Sequence, residues 1–313
     1  MIIDLPNTTV SAISKTLVRL RDEGGAVALG RVLTLVISTD PSVEEQTIDA
    51  ANAASREHPM RVIVLSHQPG AESAKARIDA QIRLGGDAGA SEVILVRGHG
   101  EAGRDEESLV TGLLLPDAPV VVWWSGEAPE VVAESELGRI AQRRITDAAT
   151  RPDPRDALAA LSMNHTPGDT DFAWTRITLW RSQLAAVLDQ PPYEPVEAIE
   201  VIGSLDSPSL VLLGAWLGLQ LQAPVSLSAP EAVEEVEGVH TVRLHRASGT
   251  IELSRISGQS IRLTQPGQPE HEITIPRRTN RECLAEELRR LDPDEVYEAV
   301  ITRGLGLPRT VEA

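Results

Sequence analysis

Two carboxylates one residue apart, Asp169 and Asp171, and seven scattered histidines are the side chains of this 313-residue chain that could hold a metal or move a proton. An Asp-x-Asp pair suits a hard divalent cation, and it equally suits the cap of a helix predicted to begin beside it. The histidines, His58, His67, His99, His165, His240, His245 and His271, fall at no spacing that a metal site uses. His240 and His245 are odd-spaced in a stretch of short strands and are expected to be solvated. The run "RLGGDAGAS" (83–91) precedes a strand instead of joining strand to helix, which makes it an ordinary turn and not a phosphate loop. The first strand of the chain is followed by "STDPS", not G-x-G-x-x-G, and neither G-x-S-x-G nor H-E-x-x-H occurs. No catalytic residue, cofactor site or metal site is therefore expected. What remains is contact chemistry: arginines able to grip an anion or a partner (Arg143, Arg144, Arg176, Arg181) and tryptophans beside them.

Two stretches carry that chemistry. In 113–149, "LLLPDAPVVVWWSGEAPEVVAESELGRIAQRRITDAA", residues 120–124 form an unbroken β-branched and aromatic run bounded by Pro116, Pro119 and Gly126. Such a run reads as a strand buried on both faces of a parallel sheet. Its carboxyl end, where α/β folds place ligands, offers Trp123, Trp124, Ser125, Gly126 and Glu127. Trp123 and Trp124 point to opposite faces, so at least one belongs to the core. The segment after it has helical character, with Arg143 and Asp147 spaced to pair. In the second stretch a helix over 170–189 carries Ala173, Ile177, Trp180, Leu184 and Val187 as a core-facing stripe. Trp174, Thr178 and Arg181 fall on the adjoining face, and Arg176 is one turn from Trp180, within cation–π reach. That face either packs internally between domains or docks a partner, since Trp and Arg are enriched in interface hot spots. The candidate partner-binding residues are Trp124, Arg144, Trp174, Arg176 and Arg181.

The elements that must position these residues alternate. A helix over 10–23, capped by Thr8 or Thr9 and stopped by Gly24-Gly25, is followed by strands over 31–37, 61–65 and 92–96. A helix over 42–57 starts with Ser42 as cap and Glu45 in the capping-box position. A Gln-Pro-Gly turn follows the second strand, and 76–84 is either amphipathic or alternating. This pattern predicts a mostly parallel sheet covered by helices. Arg151-Pro152-Asp153-Pro154 punctuates the chain, and helices over 155–163 and 170–189 follow, stopped by Pro191-Pro192. A strand over 198–202 leads to Ser207-Pro208 and an apolar helix to Gln222, buried all round. From 241 to 275 three turn signals, Ser248-Gly249, Ser257-Gly258 and Pro266-Gly267, separate four strands of an antiparallel meander. Helices over 280–290 and 293–303 close the chain. The expected architecture is α/β: an α/β domain over 1–150 with a mostly parallel sheet, a helical connection over 151–192, and an α+β domain over 193–313 containing the meander and the closing helices.

Composition narrows the class. The formal net charge is −17, with 14 basic and 22 acidic residues up to Thr150 and 15 and 24 beyond it, so the acidity is spread. A uniformly acidic surface opposes nucleic acid and anionic membrane. The longest apolar tract, 210–221, is shorter than the roughly 20 residues a membrane span needs. Cys283 is the only cysteine, which leaves no internal disulfide or zinc knuckle and suits a reducing compartment. "MIIDLPNTTV" lacks the pattern of a signal peptide. The expected location is the cytoplasm.

Several blocks carry a family resemblance: "EGGAVALGRVLTLVI", "ANAASREHPMRVIVL", "RLGGDAGASEVILV", "LLLPDAPVVVWWSGEAP" with "RRITDAA", and "DFAWTRITLWRSQLA". They resemble OpcA, the glucose-6-phosphate dehydrogenase assembly protein family, in its actinobacterial form, over nearly the whole chain. The resemblance implies a non-catalytic cytoplasmic partner that binds glucose-6-phosphate dehydrogenase, promotes its oligomerisation and raises its activity at the start of the oxidative pentose phosphate pathway. It supplies no catalytic residues. The cyanobacterial branch is linked to thioredoxin control through several cysteines, whereas this chain has Cys283 alone. The alternative is a sugar-phosphate-binding protein or cryptic enzyme that uses Arg143, Arg144, Arg176 or Arg181 as an anion clamp.

Overall fold

The computed structural model describes residues 1–23, 32–67, 75–84, 92–230 and 237–311. In chain order its elements are β1 (Ile2–Thr8), α1 (Val10–Glu23), β2 (Leu33–Thr39), α2 (Glu44–Ala54), β3 (Met60–His67), β4 (Arg77–Leu84), β5 (Glu92–His99), α3 (Glu106–Thr111), β6 (Val120–Trp124), α4 (Glu136–Ile140) and β7 (Arg143–Thr146). Then follow α5 (Pro154–Asn164), β8 (Asp169–Asp171), α6 (Phe172–Arg176), α7 (Thr178–Leu188), β9 (Ala198–Gly203), α8 (Pro208–Leu221) and β10 (Val225–Ser228). The meander is β11 (Val239–Arg246), β12 (Gly249–Arg255), β13 (Ser260–Thr264) and β14 (His271–Thr274). The chain ends with α9 (Asn280–Glu287), α10 (Glu295–Ala299), a π-helical turn at Val300–Gly304 and β15 (Pro308–Thr310). It forms two compact units: Met1–Asp147 with Gly168–Thr170 and Asn280–Pro293, and Ala148–Pro167 with Asp171–Thr279 and Asp294–Ala313. The fold is α/β, with a mostly parallel sheet first and the meander second. Among the described residues no helix is long and apolar enough to cross a membrane.

The first unit is built on a sheet of order β1-β4-β5-β3-β2-β6-β7-β8. Strands β5, β3, β2, β6 and β7 run parallel; β4 pairs antiparallel with β5, and β1 antiparallel with β4 at the edge. The strands are Val/Ile-rich because both faces are covered. Val36, Ile63 and Ile94 pack with Ile13 and Leu17 of α1, while Leu35, Ile37, Val62 and Val64, which alternate with them, are equally buried. Residues 76–84 resolve as the strand β4, and its pairing with β5 explains the alternation.

Two sequence expectations need correction here, and one alternative is settled. Residues 143–147 are not helical: β7 pairs with β6, with Val121 opposite Arg143, so Arg143 and Asp147 lie about 13 Å apart along an extended chain. Arg143 instead pairs with Glu287 of α9, the helix that lies against α2. Ser42 does not cap α2. Val43 occupies the cap position without a side-chain bond, because Pro41 to Val43 form a turn first. Thr9 is the residue that caps α1, its hydroxyl accepting from Ala12 N at 3.2 Å. The Gly24-Gly25 stop, the turn at 68–70 and the loop at 85–91 lie outside the described residues.

The second unit holds a sheet of order β14-β13-β12-β11-β9-β10-β15. Strands β9, β10 and β15 are parallel, and the meander continues antiparallel from β9 through β11. Helix α8 crosses between the parallel strands β9 and β10, with Leu210, Leu212, Leu213, Ala215 and Leu217 fully buried. Gly249 and Gly267 sit at φ +123° and +71°, the left-handed conformations that two of the meander turns require. The single helix expected over 170–189 is broken. Asp169–Asp171 is a strand, Asp171 caps α6 through Ala173 N at 2.8 Å, and the chain kinks at Ile177 before α7. Of the two expected closing helices, α9 belongs to the first unit and α10 to the second.

Candidate functional site

The candidate contact residues fall into two groups that the fold treats differently. In the first unit, Trp123 and Trp124 are both buried, each 1% exposed, at the end of β6. Arg144, on β7, donates from Nε to Asp169 Oδ1 at 2.5 Å and from Nη1 to the Ala141 carbonyl at 3.0 Å. Gly168 passes directly over this pair with φ +99°, and a Cβ there would meet the Gln142 carbonyl at 2.6 Å. Asp169 and Asp171 are thus an arginine partner and a helix cap. Among the described residues no three His, Cys, Asp or Glu side chains come together as a metal would require. Arg143 is also engaged, donating from Nε to Glu287 at 3.1 Å and from Nη1 to the Asp292 carbonyl at 2.9 Å. Two of the four proposed anion-clamp arginines are therefore neutralised inside the first unit.

The other candidates, Trp174, Arg176 and Arg181, sit in the second unit. Trp174 is buried in α6 and its Nε1 donates to Asp294 Oδ2 at 2.8 Å, while Asp294 Oδ1 caps α10 through Val296 N and Tyr297 N. The Arg181 guanidinium lies 3.5 Å from the centroid of the Trp174 ring, and Tyr297 packs beside it with centroids 5.8 Å apart. Arg181 is half-buried, so one face of its guanidinium covers the tryptophan. The stripe Ala173, Ile177, Trp180, Leu184 and Val187 is buried in the core of this unit. Arg176 does not reach Trp180. The kink at Ile177 turns it back over Phe172, at 5.9 Å, and Arg255 takes its place over Trp180 at 5.5 Å.

Arg176 opens instead onto a cavity of about 480 Å³ at the carboxyl end of β9. Ser207, Pro208 and Ser209 at the amino end of α8 form one wall, Trp180 another, and Arg255, Arg277 and Arg278 line it with Arg176. The loop leaving β9 runs so close to Gly238 that a Cβ on Gly203 would stand 2.2 Å from the Gly238 carbonyl. Arg255, Arg277 and Arg278 are not among the arginines expected from the sequence. The adjacent pair Arg277-Arg278 after Pro276 was a visible signal, whereas Arg255 at the end of a meander strand gave none.

The histidines correct a further expectation. His240 and His245 are half-buried, not solvated; His245 Nδ1 bonds the Thr250 hydroxyl at 3.0 Å, and His240 Nδ1 lies 2.9 Å from Thr241 Oγ1. Burial, reinforced by Arg255 and Arg277, holds the His240 pKa down. His67 is the opposite case. Its hydrogen bond with Glu106 raises its pKa against burial, with the charges of Glu106 and Asp40 adding to the rise.

The geometry defines a two-unit α/β protein with buried arginine–carboxylate pairs in the first unit and an arginine-lined cavity in the second. Residues 51–163 match the family model of the glucose-6-phosphate dehydrogenase subunit N-terminal domain, and residues 167–301 that of its C-terminal domain. The chain belongs to this glucose-6-phosphate dehydrogenase assembly family, OpcA. A putative OxPP cycle protein OpcA of Synechocystis sp. strain PCC 6803 is 29% identical over 164 residues, a match that takes in 47% of this chain and 33% of that protein. The match thus spans about a third of the relative's length. Among solved structures, an NAD binding oxidoreductase from Klebsiella pneumoniae aligns over 89% of this chain and 96% of its own at 11% identity and a TM-score of 0.45. An oxidoreductase from Sinorhizobium meliloti aligns over 86% and 88% at 12% identity and a TM-score of 0.48. Similarity of that order carries no activity across.

Proposed function

We propose that the chain binds glucose-6-phosphate dehydrogenase in the cytoplasm and supports its oligomerisation and activity without turning over a substrate of its own. The observation that carries this reading is the pair of consecutive family matches, which together run from residue 51 to residue 301 with a gap of three residues. The acidic surface fits a protein partner better than nucleic acid or membrane, whose phosphates it would repel. Of the five candidate docking residues, Trp124 and Arg144 are buried and support the first unit from within. The docking face in this reading centres on Arg181, held flat by Trp174, because a pre-ordered guanidinium loses little freedom on binding. The test is to mix the full chain with the dehydrogenase and follow size and kinetics together. A larger assembly that elutes with both chains, and a rise in dehydrogenase kcat/KM, are expected. An unchanged elution profile and unchanged kinetics at micromolar concentrations of both would refute the reading.

A further inference from the structure

Arg255 is buried, 8% exposed, yet among the described residues no carboxylate pairs with it. Its Nη1 donates to the carbonyls of Ile275 at 2.9 Å and of Ser257 and Gly258 at 3.3 Å, while Nε is buried with no hydrogen-bond partner. Burial of this cation, with Arg277 adding repulsion, lowers its pKa, the reverse of an arginine held by a carboxylate. Burying an unpaired charge is costly, and folded proteins normally pair such groups. Arg255 is one of the residues lining the cavity at the end of β9, where Arg176, Arg277 and Arg278 add three more arginines beside Asp206 and Glu237. Glu237 answers Arg277 at 3.0 Å and stands largely in solvent. The amino end of the buried helix α8 adds its partial positive charge on the opposite wall.

We propose that this cavity binds the phosphoryl group of a small phosphorylated molecule, with Arg255 as the buried contact and Arg176, Arg277 and Arg278 around the rim. A dianion with three equivalent oxygens matches several forked donors and a helix amino terminus at once. The volume of about 480 Å³ is that of a small-ligand pocket, and the Trp180 wall gives an apolar surface for the organic part. This goes beyond the dehydrogenase-binding reading and does not depend on it: the test uses the isolated full chain.

The experiment is calorimetric and thermal titration of the chain with inorganic phosphate, glucose 6-phosphate and adenosine 5′-monophosphate, with glucose as the uncharged control. Saturable binding at one site per chain is expected, with a melting midpoint that rises with ligand concentration, and no response to glucose. Glucose 6-phosphate binding tighter than phosphate identifies a sugar phosphate, the monophosphate binding tighter identifies a nucleotide, and equal binding of all three shows that the phosphoryl group alone is read. Arg255→Gln should weaken binding at least tenfold, the loss expected for a charge-assisted hydrogen bond. If that variant fails to fold, Arg277→Ala decides instead, since Arg277 lines the cavity and pairs with the exposed Glu237; a several-fold loss is expected. No saturable binding of any phosphate, or binding undiminished in the variants that fold, would overturn the proposal.

Discussion

Replacing Arg181 by alanine separates two roles that the structure allows for the same side chain. The guanidinium carbon lies 3.5 Å from the Trp174 ring centroid, closer than the roughly 6 Å within which a cation–π contact counts. With a half-buried arginine over a buried ring, that contact is worth about 1 kcal/mol, between the exposed and the desolvated limits. The methylene stem adds packing against the ring at roughly 0.8 kcal/mol per fully buried CH₂, of which only part applies to a half-buried side chain. The Nη2 bond to Thr178 Oγ1, at 3.3 Å, adds little. The expected cost of Arg181→Ala is therefore about 1–2 kcal/mol of stability, and Arg181→Lys should recover less than half because ammonium does not stack. Denaturant unfolding of the full chain measures it as a lower midpoint at unchanged slope. Affinity for the dehydrogenase, measured on the folded fraction, should fall about tenfold if Arg181 also docks. Parental stability in Arg181→Ala would refute the energetic reading of the stack. A destabilised variant that binds the dehydrogenase at parental affinity would place the docking face elsewhere.

Arg143→Met should be far more damaging, by about 3–5 kcal/mol, because it strips the guanidinium from a Glu287 carboxylate that is only 5% exposed; the double variant Arg143→Met, Glu287→Gln should recover part of that loss in the same unfolding assay. The raised pKa of His67 means that its pairing with Glu106 stabilises the fold fully below the ordinary value of 6.5 and ceases to do so as pH rises through the raised value. The melting midpoint should therefore fall across that window more steeply in the parent than in His67→Gln, and parallel curves would count against the pairing. Cys283 is fully buried and is the only thiol, so a thiol reagent should label it only on unfolding, and oxidant or reductant should leave any stimulation of the dehydrogenase unchanged. Rapid labelling of the native chain would contradict this.

What the sequence disclosed divides by distance along the chain. The buried strands were legible because their partners matter little to the pattern: Val120–Trp124 reads as a central strand whichever neighbours it takes. The meander was legible because each turn carries its own residues, and Gly249 and Gly267 adopt the left-handed angles that those turns need. The arginines were not legible, since an arginine takes its meaning from its partner. Arg143 looked like a helical residue paired to Asp147, but its carboxylate lies 144 positions away, on a helix that returns to the first unit. Arg176 looked placed for Trp180 until the kink at Ile177, marked by neither proline nor glycine, turned it toward Phe172. Arg255 carried no signal at all, because what distinguishes it is the lack of a carboxylate partner among the described residues, and that shows only in the folded chain. The same physics sorts the group. Arg143 and Arg144 sit in the first unit with carboxylates and so contribute stability, whereas Arg255 is buried with no carboxylate partner among the described residues, which is what the proposed anion site rests on.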